Sequence, residues 1–319
     1  LNDPEKYFQC KIWTGTGSSN ALTLDGDTDM QPDLVWIKER GGASNHNLTD
    51  AVRLATNYLV TNETDAEATA AETLKSFDSD GFTVGTSGGV NGSSQTYVAW
   101  CWKESADAGF DINIHTGSGS SADISHSLSA VPEMIITFRR SGVQQHFVYT
   151  STTGSQKALF LDSNSATSTQ ANAYDATPTS SVINYGSDNA VNGSSDTYVA
   201  YLWRSVQGFS KFGSYTGNGN ADGTFVYLGF KPAFMLAKRT DSTDHWTLWD
   251  NKRESNPNNN VLYPSLADAE STSDSSYPAD LVSNGVKWRG TSTGMNASGA
   301  NYIYMAFAEA PFVNSNGVP

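Results

Sequence analysis

Three stretches of the chain carry apolar and aromatic side chains in a run shaped for a strand: Tyr97-Val98-Ala99-Trp100-Cys101-Trp102, Tyr198-Val199-Ala200-Tyr201-Leu202-Trp203 and Tyr302-Ile303-Tyr304-Met305-Ala306-Phe307. Each is fed by a turn, Val90-Asn91-Gly92-Ser93, Val191-Asn192-Gly193-Ser194 or Met295-Asn296-Ala297-Ser298. A second pattern is a continuous apolar run behind a proline: Pro32 opens Asp33–Lys38, Pro132 opens Glu133–Phe138 and Pro232 opens Ala233–Lys238. Proline can begin a strand but not sit in its middle, and runs of this length predict central strands buried on both faces. Each run ends in charge, as Glu39-Arg40, Arg139-Arg140 and Lys238-Arg239. A third pattern is Thr14-Gly15-Thr16-Gly17, Thr116-Gly117-Ser118-Gly119 and Thr216-Gly217-Asn218-Gly219, each following a segment that ends in Trp13, His115 or Tyr215. Two glycines around a small polar residue predict a tight turn after a strand. No helix is signalled behind it, so a phosphate cradle is not expected.

All three patterns recur at a shift of about 100 residues, which is the signature of an internal repeat. The chain therefore reads as all-β, built from three tandem β-sandwich modules of jelly-roll or lectin-like type: residues 1–106, 107–207 and 208–319. The linkers, Glu104–Ala108 and Ser205–Gln207, are short, which predicts modules docked end to end as a rod. The copies diverge in Thr61–Lys75, Ser163–Ser180 and Asn251–Ser276, which are expected to be long loops, the first with room for a short helix.

Composition agrees with this pattern. Among 319 residues, Gly 28, Tyr 14, Phe 14 and Trp 8 accompany many Ser, Thr and Asn, and only 16% are charged. Net charge is −14 and the cations, scattered singly or in pairs, form no basic stripe, so nucleic acid is not an expected partner. No apolar run approaches a bilayer span, so no membrane insertion is expected. Leu1 opens a polar stretch rather than a signal peptide, and the missing initiator Met suggests a fragment or a trimmed chain. Cys10 and Cys101 fall in the first and last strands of one module. They are either a disulfide or, because Ile112 and Leu202 stand at the matching positions of the second module, two small buried hydrophobes.

The phrases Tyr215-Thr216-Gly217-Asn218-Gly219, the run Pro32–Lys38, Ser79-Asp80-Gly81-Phe82-Thr83-Val84-Gly85, Thr96-Tyr97-Val98-Ala99-Trp100 and the tail Ala310–Pro319 stand out. Together they resemble a recurrent domain of virion proteins from marine bacteriophages, often described as tail-fibre or uncharacterised virion proteins. The resemblance covers essentially the whole chain and is closest in the first module. The second departs most, with Phe138 at the Lys38 position and no Asp-Gly-Phe turn. It implies a structural appendage at the virion surface, tail or capsid, with other virion proteins as partners. It carries no catalytic residues over, and fold-level likeness is analogy. In a phage protein the sequons at Asn47, Asn62, Asn91, Asn192 and Asn296 mean little.

For chemistry, Lys38, Arg40, His46, Asp50 and Arg53 in the first module are matched by Lys238, Arg239, His245, Asp250 and Arg253 in the third. Cations, an imidazole and a carboxylate at one loop rim suit an anionic sugar. The alternative is that Asp50 and Asp250 pair with the cations and hold the loop, which fits a second module that keeps only His146 and has Thr150 in place of the Asp. Trp13, Tyr215, Trp246 and Trp249 flank turns and are candidates for stacking on sugar rings, whereas Trp36, Trp102 and Trp203 belong in the core. Asp25-Gly26-Asp27-Thr28-Asp29 opens like a calcium loop but has Met30 and Trp36 where glycine and glutamate are needed. No His-Glu-x-x-His pair occurs. No enzyme, metal or cofactor is expected. The expected function is an appendage that displays loops for host-surface attachment, with host-cell glycan as the ligand and a homotrimer as the assembly. The alternatives are a secreted or cell-surface carbohydrate-binding module and a polysaccharide depolymerase with two carboxylates about 5 to 10 Å apart.

Overall fold

A computed structural model of the chain describes residues 1–272 and 276–310. The tail 311–319 quoted above lies outside the described residues. The fold is nearly all β. The first module places Phe8–Thr14 at the edge of a six-stranded antiparallel sheet, followed across it by Thr96–Trp102, Leu34–Glu39, Asn47–Asp50, Asn57–Val60 and Ala68–Thr69. The second module repeats that order with Phe110–Thr116, Thr197–Trp203, Met134–Arg139, Phe147–Thr150, Lys157–Phe160 and Ser168–Thr169. The third has Ser210–Thr216, Asn301–Phe307, Phe234–Arg239 and Thr247–Asp250. A small sheet of two or three strands covers one face of each large sheet.

The sequence motifs are mated within this frame. The Asn91 side chain accepts the Thr16 N–H and donates to the carbonyls of Ser18 and Gly85. Asn192 and Asn296 repeat these bonds in their own modules. Tyr97 then accepts the Gly92 N–H and donates to the Gly88 carbonyl, and Tyr198 and Tyr302 do the same. The turn glycines are required sterically: a Cβ on Gly15, Gly117 or Gly217 would lie 2.1–2.2 Å from a carbonyl oxygen of the facing turn.

The proline-led strands are buried along their length because both faces of each large sheet are covered. Val35, Ile37, Ala99 and Cys101 point into the first module's own core, and Leu34, Trp36, Val98, Trp100 and Trp102 point the other way. That second face does not meet solvent. It joins Met134, Ile136 and Trp203 of the second module and Phe234, Leu236 and Phe307 of the third in one shared core, larger than any module's own. Ring contacts such as Trp102–Trp203 at 6.4 Å, Trp102–Phe307 at 5.7 Å and Phe8–Phe307 at 5.2 Å tie all three modules together there.

The modules are therefore not docked end to end. They close into a ring around a common centre, and the expected rod is replaced by a pseudo-threefold body. The physical reason is the second apolar face of each large sheet, which a rod would leave in water. Thr61–Lys75 also departs from expectation. It holds the short strand Ala68–Thr69 and no helix, because its backbone bonds outward: Glu67 N–H to the Arg140 carbonyl, and the Thr64 carbonyl from Gln144 N–H. The α-helix of the first module is instead the single turn Gly88–Asn91. Cys10 and Cys101 are free thiols. Their strands are neighbours, but Cys10 faces the shared core and Cys101 the module core, so a bond between them is excluded by the pleat.

Candidate functional site

The Asp-Arg pairs singled out for chemistry lie on the seams between modules. Asp50 ends the strand Asn47–Asp50, and its side chain accepts from the backbone N–H and the guanidinium of Arg53 three residues on. Arg53 also donates to Glu67 at 2.7 Å and, across the seam, to the Tyr201 hydroxyl of the second module at 3.0 Å. Tyr201 returns a bond to Asp50 at 2.7 Å. Arg140 of the second module grips Glu67 with both nitrogens at 3.0 and 2.9 Å. Burial works against the Arg53 charge, but Tyr201, Asp50 and Glu67 hold it firmly protonated, and Arg140 and Arg53 hold Glu67 below the usual carboxylate range against its own burial.

The seam between the third and first modules is built alike. Asp250 pairs with Arg253 at 2.6 Å and accepts the Trp100 indole N–H at 3.0 Å. Arg253 and Arg40 share Glu270, Arg40 with both oxygens at 2.9 and 3.0 Å. The remaining seam, between the second and third modules, has the same backbone bonds and none of these charges. Thr167 N–H donates to the Thr240 carbonyl where Glu67 and Glu270 do so to Arg140 and Arg40. Thr150 and Thr153 bond to each other in place of the Asp-Arg pair, and Met305 stands where Tyr201 and Trp100 do.

A ring nitrogen repeats at each seam. His146 is bonded through Nε2 to the Val60 carbonyl of the first module at 2.8 Å, and Trp246 donates to the Phe160 carbonyl of the second at 2.8 Å. His46 occupies the matching place in the first module, beside the Tyr263 carbonyl of the third, and accepts the Trp36 indole N–H on Nδ1 at 3.0 Å. Strand register thus aligns His46 with Trp246 and not with His245, correcting the sequence alignment by one residue. Burial first, and the nearby Lys38 second, push the His46 imidazole well below its ordinary range; burial lowers His146 likewise.

Of the predicted site residues, the structure brings together Asp50 with Arg53, Asp250 with Arg253, and Arg40 with the third module's Glu270. Lys38 and Lys238 are buried, their ammonium groups spent on backbone carbonyls, and burial lowers both to about 8. Arg239 pairs with Asp241 at 2.7 Å. His245 is half-buried on Ser265. Trp246, Trp249 and Tyr215 are buried, and Trp13 is stacked on Tyr97. The expected sugar-facing rim is thus largely internal, because Asp50, Arg53, Asp250, Arg253 and Arg40 are drawn into networks that cross the seams while Lys38 and Arg239 find partners within their own modules. Glu67, Glu270 and Tyr201 were missed. Their one sequence signal is Thr167 standing where Glu67 and Glu270 do, alongside Thr150 at the Asp50 position. Asp25 pairs with Lys11, and among the described residues no group of three or more His, Cys, Asp or Glu side chains is disposed to hold a metal ion.

A family profile described as a domain of unknown function, DUF7483, matches residues 3–311. The chain belongs to the DUF7483 family. The match runs through all three modules and both linkers in one piece, so the DUF7483 unit is the ring and not the single module. No curated protein matches the chain. Among the described residues no helix is long and apolar enough to cross a membrane.

Proposed function

We propose that this protein is a structural display body: a rigid frame that carries surface loops for attachment to a host-cell glycan, as part of a virion appendage. The observation that carries the reading is the use of polar chemistry. His46, Asp50, Arg53, Asp250 and Arg253, which looked available for binding, are buried along the seams and spent on holding modules together, which is what a frame requires. The resemblance to phage virion proteins supports the location. A threefold body is already complete within one chain, so the assembly proposed here is the single chain and not the homotrimer expected from fibres.

Two measurements test this. Light scattering is expected to give the 34.2 kDa mass of one chain; a mass near three times that would overturn the single-chain body. Antibodies raised against the ring are expected to decorate purified particles from the source culture, and labelling restricted to the particle-free fraction would overturn the virion assignment in favour of a secreted module.

A further inference from the structure

The outer face of the third module's small sheet differs from those of its siblings. Phe225–Tyr227 is the edge strand of that sheet, and alternation turns Val226 into the core and both aromatic side chains outward, 42% and 60% exposed. Register places Ala21 and Thr23 at these two positions in the first module and Asp123 and Ser125 in the second. Only the third module spends two large aromatics there. Large exposed aromatics are costly to leave in water without a use, and a neighbouring pair on one face is the more so.

The Tyr227 ring is held in place. The Lys211 ammonium lies 5.1 Å from its centroid and donates to the Tyr227 carbonyl at 2.7 Å. Gly285 sits directly opposite Tyr227 on the paired strand, and the Phe225 ring lies over it, which a side chain at that position would displace. Beside the ring opens a groove of about 430 Å³ at the junction of the second and third modules, lined among others by Glu133, Gln207, Ser210 and Lys211. Glu133 uses one carboxylate oxygen on the Ser205 N–H and has the other to offer, and Gln207 is exposed. A fixed aromatic face next to a groove with amide, carboxylate and ammonium groups matches a pyranose ring, which has an apolar C–H face and an edge of hydroxyls that both donate and accept.

We infer that Phe225 and Tyr227, with the Lys211–Glu133–Gln207 groove, form a binding site for a neutral saccharide unit. This rests on the attachment reading above and names its site. The test is affinity electrophoresis of the full chain through gels containing laminarin, galactomannan or dextran, comparing wild type with F225A/Y227T. That variant installs the first module's own residues on an exposed face, so its unfolding midpoint should match wild type. Wild type is expected to be retarded by at least one polysaccharide and the variant to bind about tenfold more weakly, as the loss of two aromatic contacts implies. Retardation equal in both proteins would overturn this site and leave glycan attachment standing. A wild type retarded by none of the three would overturn the site and glycan attachment together, leaving the structural frame untouched.

Discussion

Two seams of this ring are held by buried ion networks and the third by threonines and a methionine, although all three bring together the same strands with the same backbone bonds. At the first-to-second seam, Asp50, Arg53, Glu67, Arg140 and Tyr201 form one network; at the second-to-third, Thr150, Thr153, Thr167, Thr240 and Met305 occupy the same places. The replacements come as a set. An aspartate at position 150, facing Met305, would be a buried charge without a partner, costing several kcal/mol, whereas a seam neutral at all these positions loses little. The comparison teaches that the networks fix which neighbours match while the shared apolar core holds them together.

The largest effect should come from breaking a network at one point. Arg53→Ala leaves the buried Asp50 without its cation, while Glu67 keeps Arg140, and guanidinium unfolding is expected to show a loss of about 3–5 kcal/mol, against under about 1 for Thr153→Ala at the neutral seam. Comparable losses at both positions would remove the distinction between the seams. Converting the whole first seam to the neutral type, with Asp50→Thr, Arg53→Thr, Glu67→Thr, Arg140→Thr and Tyr201→Met, should cost less than Arg53→Ala alone, within about 2 kcal/mol of wild type. A five-fold variant that fails to fold would show that the networks contribute stability in their own right.

The imidazoles supply a pH test. His46 and His146 are held neutral when folded, whereas the unfolded chain takes up protons below about pH 6.5. Stability is therefore unaffected above that pH and falls on acidification by up to about 1.4 kcal/mol per pH unit for each histidine. His146→Gln keeps a donor for the Val60 carbonyl and should flatten the slope between pH 6.5 and 5; an unchanged slope would mean that His146 is charged in the fold.

The smallest effect is expected at a linker. The half-buried Glu104 carboxyl, raised to about 7 by burial and then by the nearby Asp111, keeps its proton in the fold after the unfolded chain has released it. Stability falls as pH rises from about 4.5 to about 7 and then levels off, so Glu104→Gln should gain about 1 kcal/mol at pH 8 and nothing at pH 4.5. Equal gains at both values would point to packing rather than charge.

Much of the local structure was legible. Pro32, Pro132 and Pro232 mark the buried strands, the paired glycines mark turns, and the turn asparagines lie where the repeats placed them. The site was half legible. Asp50 with Arg53 and Asp250 with Arg253 stand three residues apart in the chain, and pairing within each loop was one of the two readings. Their partners Glu67, Glu270, Tyr201 and Arg40 lie on other loops or other modules, tens to hundreds of residues away. The His46–His245 match failed by one position because loops before the strand differ in content while strand pairing alone sets which residues coincide.

By itself the sequence determined the module: period-two apolarity selects strands, proline and glycine place their ends, and the 100-residue repeat sets three copies. Only the tertiary structure decided that the copies close into a ring. A strand buried on both faces reads the same whether its second face meets a helix, another sheet or another module, and the sequence pattern records that the face is apolar without recording what covers it. That choice also turned a row of surface-looking charges into seams, since a charge's burial depends on what is brought against it.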